Sequence, residues 1–257
     1  MPDVLVPDDL WRPSRWGYEV PGRPAGIPWA MLAALAIVVI YNPVGNEALS
    51  AWAYVPTNIV VGAVLVALAR WSGLTWDLMG MRPDRIARGA KVGLAAFGAI
   101  VLVVAVAILL PPAREYFADD RFVGEGWGEM LYQTMVRIPI GTAAFEELVF
   151  RGVLLGFFMQ RMAVWKAATL SSALFGLWHI LPTFDSIETN PGGDLLEGGL
   201  AVTAAVVGSV LVTGFAGYAF TWLRLRANSL VAPILAHFAI NSIAYVAGWM
   251  VVRYGWT

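Results

Sequence analysis

The chain has 257 residues, is 59% hydrophobic and 14% charged, and has a mean hydropathy of +0.67. Soluble domains are roughly 45–50% apolar and about 25% charged, so the composition is that of an integral membrane protein. The net charge of -1, with no basic run, gives nucleic acid no electrostatic foothold, and the absence of cysteine excludes disulfides, thiolate metal sites, cysteine nucleophiles and palmitoylation.

In chain order, residues 1–26 mix acids, arginines and prolines and read as a polar tail; no secretory signal peptide is expected, because no apolar core precedes about residue 27. Trp11, Trp16 and Tyr18 either rest at the headgroup level, where amphipathic rings collect, or are stray surface aromatics. Residues 27–257 form the membrane domain. Apolar windows of about 20 residues, long enough to cross a bilayer, predict about seven helices near 28–44, 50–69, 92–110, 130–160, 164–181, 198–223 and 228–252. The expected fold is an all-α polytopic transmembrane bundle of seven to eight helices. Pro139 is expected to kink or break the long fourth helix, with an eighth half-helix as the consequence.

Every second connection is basic. The tail holds Arg12, Arg15 and Arg23, the loop after the second helix Arg70, Arg82, Arg85, Arg88 and Lys91, and later breaks Arg161, Lys166, Arg224 and Arg226. The intervening loops are acidic, with Glu115, Asp119, Asp120 and Glu125 in one and Asp185, Glu188, Asp194 and Glu197 in another, and with only Arg114 and Arg121 as arginines. The positive-inside rule then predicts a cytoplasmic N-terminus and an external C-terminus, with the cell membrane as the location. Gly152, Gly156, Gly208, Gly214 and Gly217 are expected to serve close helix packing.

Against this apolar background three polar clusters stand out: Glu146 and Glu147 with Arg151 in "FEELVFRG", Phe175 with His179 in "FGLWH", and His237 with Asn241 in "HFAIN". The spacing of four in the last two sets each pair on one helix face. A charge within the bilayer costs at least about 2.5–3.5 kcal/mol and is usually functional. Glu147 precedes Arg151 by four, the favourable order for an intrahelical ion pair, which lowers the burial cost of both. Glu146, about a quarter turn round the helix, has no sequence-local partner and is the better candidate for a reacting group.

Counted at about 1.5 Å per residue from the inner ends, Glu146, His179, His237 and Asn241 all lie roughly 15–21 Å deep. A glutamate, two histidines and an asparagine at one level can hold and activate a water and donate hydrogen bonds to a developing oxyanion. The inventory is that of peptide-bond hydrolysis without a covalent intermediate.

These clusters resemble, in order and separation, the EExxxR, FxxxH and HxxxN motifs of the CPBP intramembrane proteases, also called the Abi or type II CAAX prenyl endopeptidase family. The similarity covers about residues 129–252. The resemblance implies a helical fold with a polar intramembrane cavity in which Glu146 is the base assisted by His179, His237 and Asn241 stabilise the oxyanion, and Glu147, Arg151 and Phe175 support the site. It also implies a zinc ion, with Glu146, His179 and His237 as its ligands, unless the glutamate and histidine activate water directly. The implied substrate is a membrane-associated protein or peptide, lipidated or not. Two other classes compete: an idle membrane protein that binds a partner, as in bacteriocin immunity, and a transporter lined by the same groups. A transporter requires a polar stripe across several helices, whereas the sequence offers one cluster at one level.

Overall fold

The computed structural model describes residues 28–189 and 199–256. The tail with Trp11, Trp16, Tyr18 and its three arginines, and the acidic Asp194 and Glu197, lie outside the described residues. Among the described residues the chain is helical without strands, as a bilayer requires of a backbone that must satisfy its own hydrogen bonds. The main helices are α1 (Trp29–Pro43, prolonged by a π-type turn over Val44–Ala48), α2 (Ala51–Trp71), α3 (Ile86–Leu109), α4 (residues 127–159), α5 (Val164–Trp178), α6 (Ile180–Thr189), α7 (Gly199–Ala227) and α8 (Val231–Tyr254). Five stretches, Trp29–Ala48, Ala51–Trp71, Pro83–Leu109, Gly199–Ala227 and Val231–Tyr254, are long and apolar enough to cross a membrane. The chain is a multi-pass membrane protein.

Three expectations are corrected. α3 starts at Ile86, after a 3₁₀ turn over Pro83–Arg85, so Arg88 and Lys91 ride its first turns instead of a loop. His179 is not inside a helix but at the junction of α5 and α6. Pro139 does not break α4. The helix runs on in π-type turns over Gln133–Ala144 and again over Leu148–Leu154, on either side of an α turn at Phe145–Glu147. Proline clashes with the carbonyl four residues back in an α-helix; a turn that pairs each amide with the fifth residue back moves that carbonyl aside.

α4 is the centre of the bundle. Phe145, Val149, Phe150, Val153, Leu154, Leu155, Phe157 and Phe158 are buried among Ala34 and Val38 of α1, Leu65 and Ala69 of α2, Phe175 and Trp178 of α5, and Phe220 of α7. The connection between α2 and α3 also folds into this core, burying Leu74, Leu78 and Met79. The fully buried Arg224 of α7 fastens that connection: its guanidinium donates to the carbonyls of Asp77 at 3.2 Å and Leu78, and through Nε to the Arg151 carbonyl at 3.2 Å.

Small residues set the closest approaches, though not always the expected ones. A Cβ on Gly217 would lie 2.8 Å from Arg151 Nη2 and 3.0 Å from the Phe175 ring, and one on Gly156 would lie 3.0 Å from Leu74. Gly208 instead faces open space. Gly89 and Gly93, one turn apart on α3, take the packing role against Ser229, Ala232 and Leu235.

Candidate active site

α4 and α8 run antiparallel. Contacts step from His237 against Glu147, through Ser242 donating to the Thr134 carbonyl, to Tyr245 donating to Glu125. At the first of these levels the charged side chains converge. Glu147 Oε1 accepts from Arg151 Nη1 at 3.1 Å and from His237 Nδ1 at 2.8 Å, with Glu147 and Arg151 completely buried. A carboxylate can only accept, so His237 Nδ1 carries the proton and Nε2 is the nitrogen left for chemistry. That nitrogen lies 3.7 Å from Glu146 Oε2, beyond direct hydrogen bonding.

Glu146 Oε1 accepts from the indole Nε1 of Trp178 at 3.0 Å, and its buried Oε2 has no hydrogen-bond partner. One carboxylate oxygen is thus tethered while the other faces the imidazole. Trp178 was not among the residues singled out from the sequence, although it sits beside His179; a buried indole N–H needs an acceptor, and that need was the available signal.

Aromatic rings wall the cluster. The Arg151 guanidinium lies 4.0 Å from the Phe175 ring centroid and 5.2 Å from that of Phe220, so the rings cover Nε and Nη2, which have no hydrogen-bond partner. Phe220 stacks on His237 at 4.9 Å and 16°. Phe175 meets both histidine rings edge on, at 4.6 Å for His179 and 5.9 Å for His237.

The remaining two candidates are His179 and Asn241. His179 bonds through Nδ1 to the Phe175 carbonyl at 2.8 Å, which fixes its proton there and leaves Nε2. Asn241, one turn beyond His237 on α8, lines a cavity of about 480 Å³ with Tyr116, Asp119, Arg121 and Tyr245. A second, apolar cavity of about 230 Å³ lies between α1 and α5 and is bounded by Val38, Asn42, Phe150 and Trp178. Among the described residues no three His, Asp or Glu side chains are grouped as a metal-binding set. Glu147 Oε1 and His237 Nδ1 are already committed to each other.

A further polar girder lies one turn before Glu146. Asn58 of α2 donates to the Gly141 carbonyl at 2.8 Å and accepts from Tyr41 of α1, while the Tyr54 hydroxyl meets Thr142 Oγ1 at 3.3 Å. The first two helices, undiagnostic as sequence, thereby hold the helix that carries the glutamates.

No curated protein and no solved structure matches the chain. Residues 128–243 match the family model described as type II CAAX prenyl endopeptidase Rce1-like, a span that contains all three polar clusters and both histidines. The match spans less than half of the chain, and over those residues the chain is similar to the CPBP/CAAX family of intramembrane proteases.

Proposed function

We propose that the protein is an intramembrane peptidase that hydrolyses a peptide bond of a membrane-associated protein or peptide with water activated by Glu146. The observation that carries this reading is the pair formed by Glu146 Oε2 and His237 Nε2, two acceptors 3.7 Å apart in a buried site. A water donating one hydrogen to each presents its lone pair to a carbonyl carbon. Glu146 then takes the proton as general base, a contribution of about 10²–10⁴-fold, and returns it to the leaving amine. Glu147 and Arg151 hold His237 in the required tautomer. Asn241 and His179, at the borders of the cluster, are assigned to the substrate carbonyl and the leaving group. The basic and acidic connections favour a cytoplasmic N-terminus.

The test is cleavage of lipidated and unlipidated peptides in liposomes by the wild type beside Glu146→Gln, with and without chelator. Glutamine keeps the bond from Trp178 but cannot take a proton, so turnover is expected to fall at least about 10²-fold at an unchanged melting temperature. Turnover equal to wild type by Glu146→Gln would sink the mechanism. Loss of wild-type activity in the chelator lanes would move zinc from an expectation to a participant.

A further inference from the structure

The site shared by α4 and α8 has two ends. One faces the basic connections, where α2 joins α3 and α7 joins α8; the other faces the acidic connection of residues 110–126 between α3 and α4. A hydrolytic site within a bilayer has to admit water and polypeptide from one of them, because lipid tails satisfy the polar groups of neither. The two ends are built differently.

The basic end is closed. Beyond Glu147 in that direction come Arg151 and Gly152, and from Val149 to Met159 α4 has no exposed residue. The α2–α3 connection fills the space alongside, with Leu78 and Met79 at zero exposure. A Cβ on Gly152 would lie 3.2 Å from the Leu230 side chain and 3.6 Å from the Met79 carbonyl oxygen. Polar contacts pin this plug. The Leu230 amide donates to the Gly80 carbonyl at 2.8 Å, the Asn228 side chain donates to Asp77 Oδ1 at 3.3 Å, and Arg224 donates to the carbonyls of Asp77 and Leu78. A peptide entering here would have to break these bonds and leave a buried guanidinium without them.

The acidic end is open. Asn241 lies one turn, about 6 Å, from His237 on this side, is half-buried, and lines the cavity of about 480 Å³. Phe117, Asp119 and Phe122 of the acidic connection form the opposite wall from Asn241, Ala244 and Tyr245 of α8. The wall is fastened farther out. There Tyr245 donates to Glu125 Oε1 at 2.6 Å, the Trp249 indole donates to the Glu125 carbonyl at 3.1 Å, and Gly248 leaves room for the Phe122 ring and the Phe117 carbonyl. Closer to the glutamates the same two elements enclose the cavity. Its lining mixes the Asp119–Arg121 ion pair, at 2.6 Å, and the Asn241 amide with phenylalanine and alanine. A few polar groups among apolar ones are what a bound segment needs, the first for its backbone and the second for its side chains.

We propose that this cavity is the entrance of the active site: an extended polypeptide segment, and the water that hydrolyses it, reach Glu146 from the acidic face, while the basic face gives no access. The inference rests on the peptidase reading and makes its substrate more specific. With the basic connections on the cytoplasmic side, the substrate is a polypeptide exposed on the external side of the membrane.

The absence of cysteine makes the test direct. Single cysteines are introduced in the full chain as Ala244→Cys and Ile240→Cys on the cavity lining and as Ser72→Cys on the exposed basic connection. Right-side-out and inverted membrane vesicles are treated with a charged, membrane-impermeant methanethiosulfonate. Cleavage of acyl-anchored peptides supplied to the same side is then compared with each variant's own unlabelled rate, with Glu146→Gln as the blank. In right-side-out vesicles both cavity cysteines are expected to react and lose cleavage, and reduction of the mixed disulfide should restore it. Ser72→Cys should react only in inverted vesicles and keep its detergent-measured rate. The wild type should cut peptides supplied to right-side-out vesicles and spare those supplied to inverted ones until detergent is added. Cavity cysteines that fail to react in right-side-out vesicles would overturn the external substrate. Reaction at both positions without loss of cleavage would overturn the cavity as the route, and cleavage lost on labelling Ser72→Cys would overturn the closed basic face. No cleavage by the wild type from either side or in detergent counts against the peptidase reading itself.

Discussion

α3 and α4 are neighbours in the chain and opposites in character. α3 belongs to the most apolar of the five membrane-crossing stretches, yet most of it faces outward: Leu102 and Val103 are 65% and 68% exposed, and of its residues only Gly89 and Gly93 are buried. α4 carries Arg137, Glu146, Glu147 and Arg151, and from Val149 to Met159 every residue is buried. In water the assignments would be reversed. In a bilayer the lipid tails are as apolar as leucine, so hydrophobicity does not draw a helix inward, while a charge has strong reason to leave the lipid. The helix that can least tolerate lipid becomes the centre, and the helix best matched to lipid becomes the wall.

The contrast implies different sensitivities. The largest effect on folding is expected from Arg151→Ala, which strands Glu147 without its guanidinium at zero exposure; breaking a buried pair costs about 3–5 kcal/mol. Folded yield in detergent and the melting temperature should both collapse. A stable Arg151→Ala protein would mean that His237 alone can neutralise Glu147.

Trp178→Phe should separate chemistry from packing. It keeps the ring that lies 5.7 Å from Phe150 but deletes the N–H on Glu146. A hydrogen bond to a charged group is worth about 1.5–3 kcal/mol, so kcat should drop about 10–100-fold with little change in KM or melting temperature. A loss confined to stability would reassign Trp178 to the core.

On α3 the effects should be smaller and confined to one stripe. Gly93→Leu puts a side chain where a Cβ would already lie 2.9 Å from Leu235 and 3.0 Å from the Ala232 backbone, and overpacking of this kind costs about 1–3 kcal/mol. Val103→Ala, on the outward face, should stay within about 0.5 kcal/mol. Thermal melting of the two variants side by side would reveal whether α3 is held by its glycine edge alone; equal destabilisation would contradict that.

How much of this was legible in the sequence differs between the site's parts. The Glu147–Arg151 pair follows from spacing alone, because i and i+4 are neighbours on any helix. The convergence of His237 on the glutamates was anticipated only as a coincidence of depth, since counting rise along a helix yields a level but not a direction. Trp178 escaped notice for the same reason: whether an indole meets a carboxylate on another helix depends on rotation about the helix axis, which no single-helix pattern encodes. Asn241 and His179 were expected at the same level as the glutamates; Asn241 lines a cavity beside Asp119 and Arg121, and His179 packs on Phe175.

By itself the sequence determined a helical membrane protein with three charged or polar clusters, because composition, span length and periodicity are local quantities that lipid constrains strongly. It also carried the resemblance to a protease family, through motifs whose spacing survives without coordinates. Only the tertiary structure decided which oxygen of Glu146 is tethered and which is available, that Pro139 is absorbed by π-type turns, and that α1 and α2 brace α4 through Asn58 and Tyr54. Those outcomes rest on distances of a few ångströms between residues far apart in the chain. Packing between helices sets such distances, and no stretch of sequence contains them alone.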